Sequence, residues 1–258
     1  MGGNAFKIDA NVITSKDVFE IMNKVKNLFP DLEIAGVGST LKSDVVNDID
    51  LAIGPISIKD LAARIDSMKK HFAASRKYGN TFSTAFYCGN RIYQVDFMPC
   101  ENCKDTAWLM SGGDPGGVKG VMRNLLLSYM ARRKSTELTE ETKKRTQIKI
   151  SFPGGCKVYH GTPPTLMSGP TSDPKVILKT LGIDADPESC LTFESLVDNI
   201  PESKDETFRE MFENYCMRSW IYKKDPSVVI KAIELINKAA LSSDSNIKER
   251  KHSKTISR

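Results

Sequence analysis

Residues 47–54 read Asn-Asp-Ile-Asp-Leu-Ala-Ile-Gly, and no other stretch restricts the fold as much. Alternate side chains of a strand share a face. Ile49, Leu51 and Ile53 therefore point into a core, while Asp48 and Asp50 point together from the opposite face. A strand of this kind needs packed elements behind its apolar side. Its acidic side has a bland reading, two solvent-facing residues of an edge strand. It also has a functional one, because neighbouring carboxylates repel unless a positive charge lies between them.

A second strand, around Ile92-Tyr93-Gln94-Val95-Asp96-Phe97, repeats the device. Tyr93, Val95 and Phe97 form its apolar face, and Asp96 stands on the other. If the two strands are neighbours, Asp48, Asp50 and Asp96 form a set of three hard oxygen ligands. Such a set suits Mg²⁺, with Mn²⁺ as a substitute. Three carboxylates can hold two ions roughly 3.5–4 Å apart, the spacing used for in-line phosphoryl transfer. Asp96 is the candidate general base. Ten residues before Asp48, Gly38-Ser39 marks a sharp turn where backbone N–H groups can approach phosphates. Lys42 is placed to add a point charge there.

The remaining pattern predicts a mixed α+β chain. Ser15 is read as capping a first helix carrying Val18, Ile21, Met22, Val25 and Leu28, stopped at Pro30. Strands are expected at 32–37, 48–53, 81–87 and 91–98, and a helix is expected to begin at Ser57. A glycine-rich segment, 111–117, leads into a helix over about 118–133. A hairpin follows over 147–152 and 156–160. Asp173-Pro174 and Asp225-Pro226 each signal a helix start. The polar, basic stretch from Ser242 is expected to be disordered.

Lys+Arg number 37 against 32 Asp+Glu, a net charge of +5 that permits a polyanionic partner without demanding one. No apolar run is long enough to span a bilayer, and the first residues lack a signal-peptide layout. The expectation is a cytoplasmic, monomeric protein with no membrane partner. The six cysteines are then expected to be reduced thiols. Cys100-x-x-Cys103 lacks a second cysteine pair, with only Cys156 and His160 as distant partners, so zinc is the weaker reading. The 111–117 segment is not a P-loop, since no Gly-Lys-Ser/Thr follows it.

The Gly-Ser turn, the Asp-x-Asp strand and the later strand Asp resemble the polymerase-beta nucleotidyltransferase superfamily. Within it the sequence is most similar to family X DNA polymerases, including very small viral members. Trp108-Leu109-Met110-Ser111-Gly112-Gly113-Asp114 resembles the family segment beside the incoming sugar and base. The resemblance therefore implies nucleotide contacts from Met110, Ser111, Gly112, Gly113 and Asp114. Val121-Met122-Arg123-Asn124 resembles the next helix, whose arginine faces the nascent pair. Residues 175–183 resemble the segment that closes on the nucleotide. The likeness runs over about 32–188.

The implied architecture is a catalytic palm over 1–107, with a mixed β-sheet flanked by helices. A smaller α/β nucleotide-closing subdomain over 108–190, a helical extension over 191–241 and the tail 242–258 follow. The implied partners are nucleoside triphosphates and nucleic acid, DNA primer-template before RNA, with a DNA-repair and viral setting. Lys119, Arg123, Lys143, Lys144, Arg145 and Lys149 are the candidate nucleic-acid contacts, since a polymerase needs phosphate contacts that carry no sequence information. The family's aromatic pair beside the sugar is Leu109-Met110 here, and its basic residue before the third Asp is Gln94. Those departures leave three alternatives in play: addition to RNA 3′ ends of the tRNA type, nucleotide transfer to a protein or small molecule, and a non-catalytic nucleic-acid-binding module.

Overall fold

The computed structural model of the chain describes residues 5–6, 13–40, 42, 44–111 and 117–255, with side chains described as far as Ala240. Residues Met1–Ser111, Ile150–Lys157 and Ser168–Val176 form one compact unit, and Gly112–Lys149, Val158–Met167 and Ile177–Arg258 a second.

In chain order the first unit begins with β1 (Ile13–Thr14), α1 (Ser15–Leu28), β2 (Glu33–Gly36), β3 (Val45–Val46) and β4 (Ile49–Gly54). It continues with α2 (Ile58–Ser67), β5 (Phe72–Tyr78), β6 (Thr81–Cys88), β7 (Arg91–Pro99) and α3 (Cys103–Leu109). Five strands form a mixed sheet in the order β2-β4-β7-β6-β5. Within it β4 and β7 run parallel and the other neighbours antiparallel. The unit is α+β, as the sequence implies.

The sheet's two faces differ as the alternation dictates. Ile49, Leu51 and Ile53 of β4 join Tyr93, Val95 and Phe97 of β7 in one core, packed under Val18, Ile21 and Val25 of α1 and Leu61 and Ile65 of α2. Burying these side chains supplies the main stabilisation, about 1.5–3 kcal/mol for each large one. On the opposite face Ala52 and Met98 meet Val37 and Cys103, so α3 covers the C-terminal ends of β4 and β7. Asp50 and Asp96 stand two residues further back along the same face.

Thr14, rather than Ser15, caps α1. Its hydroxyl accepts from the Asp17 N–H at 3.3 Å, and the Asp17 carboxylate accepts from the Thr14 N–H at 2.9 Å. Ser57 caps α2 as expected, accepting from the Asp60 N–H at 3.1 Å.

Later elements are α4 (Gly120–Thr142), β8 (Thr146–Ser151), β9 (Gly155–His160), β10 (Thr165–Thr171), α5 (Pro174–Leu181), α6 (Phe193–Asp198), α7 (Glu206–Met217), α8 (Trp220–Lys224) and α9 (Pro226–Thr255). β8 and β9 form the expected hairpin, and β10 adds a third strand beside β9. α4 runs nine residues beyond its expected end at Arg133. In the second unit α6, α7 and α9 pack on it. Tyr129 of α4 sits 5.2–5.5 Å, ring to ring, from Phe208, Phe212 and Tyr215 of α7. Trp220, by contrast, is 54% exposed and packs into no core. The backbone from Ser242, expected to be disordered, continues α9 to Thr255. Among the described residues no helix is long and apolar enough to cross a membrane.

Candidate metal and nucleotide site

The parallel ladder pairs Ile49 with Val95, Asp50 with Asp96 and Leu51 with Phe97. Asp50 and Asp96 are thus direct cross-strand neighbours, and Asp48 enters from the residue just before β4. One carboxylate oxygen from each of the three lies within 4.8 Å of the others. Among the described residues this is the one group of three or more His, Cys, Asp or Glu side chains so placed.

The acids are mostly enclosed, with Asp48 8% and Asp96 6% exposed. Burial pushes all three carboxyls above the ordinary carboxylate range. Asp50 rises furthest, to about 7, first through burial and then through the charges of Asp48 and Asp96. The Asp48 Oδ2 atom is buried with no hydrogen-bond partner. An orphaned anionic oxygen beside two further carboxylates fits a divalent cation, which would satisfy that oxygen and offset the mutual repulsion. Asp48, Asp50 and Asp96 are the residues that would hold it.

The Gly-Ser turn is built against this cluster. The Val37 N–H donates to the Asp50 carbonyl at 3.0 Å, and the Asp50 N–H donates to the Thr40 hydroxyl at 2.8 Å. Gly38 has φ +62°, and a Cβ there would stand 3.1 Å from Asp50 Oδ2. Glycine is needed at this position both for its backbone conformation and for that close approach. Ser39 is exposed, and its carbonyl accepts from the Lys42 N–H at 3.1 Å. The exposed Lys42 sends its ammonium to the hydroxyl of Ser111, at 3.4 Å. The structure therefore groups Gly38, Ser39, Lys42 and Ser111 around β4, although Ser111 lies 69 residues from Lys42 in the chain.

Gln94 plays a part that the sequence did not disclose. Its amide nitrogen donates to both oxygens of Asp96, at 3.1 and 3.2 Å, and its Oε1 accepts from the Ala5 N–H at 2.7 Å. Ser83, opposite Asp96 on β6, gives that carboxylate a further hydrogen bond. The two-residue spacing of Gln94 and Asp96 on one strand face was the available signal.

Other expected contacts fall elsewhere. Gly112, Gly113 and Asp114 lie outside the described residues. Met110 is half-buried at the C-terminal end of α3, while Trp108 and Leu109 are buried. Arg123 needs correction as a nucleic-acid contact. It is 0% exposed, and its Nε donates to the Cys190 carbonyl at 2.7 Å within the second unit. Lys119 stands just before α4 and forms an ion pair with Asp225 at 2.9 Å. Lys143, Lys144, Arg145 and Lys149 are all exposed, Lys143 in the left-handed region at φ 55° and Lys149 over the Tyr159 ring at 5.2 Å.

No protein-family model matches the chain, and no curated protein matches it by sequence. Among solved structures, it is similar to two of the Cid1 poly(U) polymerase. One, with bound MgGTP, is 15% identical with a TM-score of 0.29, over 51% of this chain and 44% of that one. The other, a point mutant bound to MgATP, is 14% identical with a TM-score of 0.29, over 48% and 45%. The chain spans less than half the length of the structures it matches.

Proposed function

We propose that this chain is a divalent-metal-dependent nucleotidyltransferase of the polymerase-beta-like type, adding nucleotides to nucleic-acid 3′ ends, RNA ahead of DNA primer-template. The observation that carries the reading is the convergence of Asp48, Asp50 and Asp96 beside a Gly-Ser turn built onto Asp50.

Mg²⁺ ions bound there would lower the pKa of an attacking hydroxyl and neutralise charge on the triphosphate and departing pyrophosphate. Asp96, oriented by Gln94 and Ser83, would accept the proton of the 3′ hydroxyl. The backbone at Gly38 and Ser39, with Lys42, would hold the outer phosphates. Lys143, Lys144, Arg145 and Lys149 supply exposed positive charge for the acceptor's backbone.

The choice of RNA rests on the segments that bring the sequence nearest to family X. Trp108, Leu109 and Arg123 are interior residues here, and no aromatic pair stands at positions 109 and 110 to screen the sugar. The family X expectation thus loses Arg123, the arginine that would face a nascent DNA pair, while the three-acid core stays.

Labelled nucleoside triphosphates offered with single-stranded RNA, tRNA, a DNA primer-template and protein acceptors decide the matter. RNA extension in Mg²⁺ is expected, with Asp96→Ala reducing it by roughly 10²–10⁴-fold. Label entering protein alone, or no transfer to any acceptor, would overturn the proposal. Extension of DNA but not RNA would restore the family X reading.

A further inference from the structure

Cys100 and Cys103 lie at the other end of the β4–β7 pair, beyond the acids. Cys100 follows β7, where its N–H donates to the Ile53 carbonyl at 3.0 Å and its carbonyl accepts from Ile56 at 3.2 Å. Cys103 opens α3 and is fully buried, 0% exposed, with its thiol against the Glu33 carbonyl at 3.3 Å. The two sulfurs are 3.6 Å apart. Cys100 lines a cavity of about 250 Å³ together with Ser57, Asn80, Glu101, Thr106 and Thr171, whereas Cys103 does not reach it. Of the two, the half-buried Cys100 borders the cavity, while Cys103 is enclosed.

We propose that Cys100 and Cys103 form a reactive dithiol, with Cys100 attacking small disulfides that enter this cavity and Cys103 resolving the adduct into an internal disulfide. The chemistry balances. The Cys100 thiolate attacks a low-molecular-weight disulfide RS–SR, forming Cys100–S–S–R and releasing RS⁻. The Cys103 sulfur then attacks Cys100 Sγ, displacing a second RS⁻, which takes up the Cys103 proton. The protein loses two electrons, and the small disulfide is reduced to two thiols. Closing the sulfurs to a bond of about 2.05 Å calls for side-chain rotation, given their starting separation.

The setting singles out Cys100 among the six cysteines. The neighbouring Cys103 thiol holds it below the usual thiol value against the pull of burial. Burial drives Cys88, Cys156, Cys190 and Cys216 upward, and the Cys100 sulfur followed by burial does the same to Cys103. A thiolate in contact with solvent is the species that reacts, so the other five are disfavoured.

The test is independent of nucleotide transfer. The full chain is incubated with oxidised glutathione, quenched with acid, unfolded, alkylated and mapped by mass spectrometry. The expected product is one internal disulfide between Cys100 and Cys103, with the other four cysteines alkylated. Cys100 should react at least about ten-fold faster than those four. Cys103→Ser should stop at a glutathione adduct on Cys100, and Cys100→Ser should leave Cys103 unmodified. Equal labelling of all cysteines, an adduct on Cys100 that persists in the wild type, or a disulfide elsewhere would overturn the proposal. The wild-type map decides even if a variant fails to fold, since the remaining thiols act as internal controls.

Discussion

Asp50 holds its proton far more tightly in the folded chain than an ordinary aspartate does, with a value near 7 against 3.8. Between those values the native state binds more protons than the unfolded one, so stability falls as pH rises. The penalty is absent below pH 3.8 and complete above about 7. In chelator, thermal melts should therefore give a lower Tm at about pH 8 than at about pH 5. Asp50→Asn should flatten that slope. Mn²⁺ should raise the wild-type Tm more at the higher pH, because the cation competes with the proton for the same oxygens. Gln94 gives a second test at this scale. Removing the amide in Gln94→Ala leaves both Asp96 oxygens without their clamp. Loss of a group that orients a metal-binding carboxylate costs about 10–100-fold in affinity or activity. A Mn²⁺ titration followed by EPR should show that weakening with the far-UV spectrum unchanged. Unaltered Mn²⁺ affinity would remove Gln94 from the site.

The start of α1 shows how a single side chain ties an element to the sheet. Asp17 completes the capping box with Thr14, accepts from the Tyr93 hydroxyl at 2.8 Å and meets Arg91 at 3.1 Å. Hydrogen bonds from Thr14 come first in lowering its carboxyl to about 2. A lowered carboxyl adds stability above the unfolded value of 3.8, and loses it as pH falls towards 2. Asp17→Asn should cost about 0.5–2 kcal/mol at neutral pH, read from urea melts, and the difference should vanish in strong acid. The elements that the sequence makes plain are those with a buried face and a written punctuation mark. α1, α2, β4 and β7 have apolar periodicity, and α5 and α9 begin at Asp-Pro. β5 escapes such a reading because only Phe72 of its seven residues is buried. β10 escapes it because the strand is exposed almost throughout. Neither presents an alternation to read. α3 is hidden because it is one short stretch after Asn102, whose side chain caps it.

Across the whole molecule, the three acids were legible because strand alternation fixes which side chains share a face. Side-chain burial was not. Arg123 reads as a surface cation in any one-dimensional pattern, yet it is fully enclosed, with burial lowering its guanidinium to about 10. Ser111 and Lys42, remote in sequence, could be joined only by the fold. In the second unit the exposed cations are Lys143, Lys144, Arg145 and Lys149 and the paired Lys119, among others. The triple replacement Lys144→Glu, Arg145→Glu, Lys149→Glu should weaken RNA binding in a filter or fluorescence assay. The salt dependence should become shallower by about one for each phosphate that the variant no longer neutralises. Lys119→Glu alone should cost little binding if its role is the Asp225 pair. An unchanged salt slope in the triple variant would place the nucleic acid on another surface.

Asp50 and Asp96 owe their spacing to a hydrogen-bonded ladder whose strands run side by side in the same direction, about 4.8 Å apart. The chain between them, from Pro55 to Asn90, departs from β4, forms α2 and the sheet strands β5 and β6, and returns as the neighbour β7. Insertions at the tips of that excursion, near Gly79-Asn80 or Gly89-Asn90, would lengthen the detour without moving its endpoints. Sliding β7 by a single residue would instead send Asp96 into the oily layer and bring Val95 or Phe97 out in its place. The spacing of the two acids is thus indifferent to how long the path between them is, and intolerant of an odd-numbered error in how the strands are zipped.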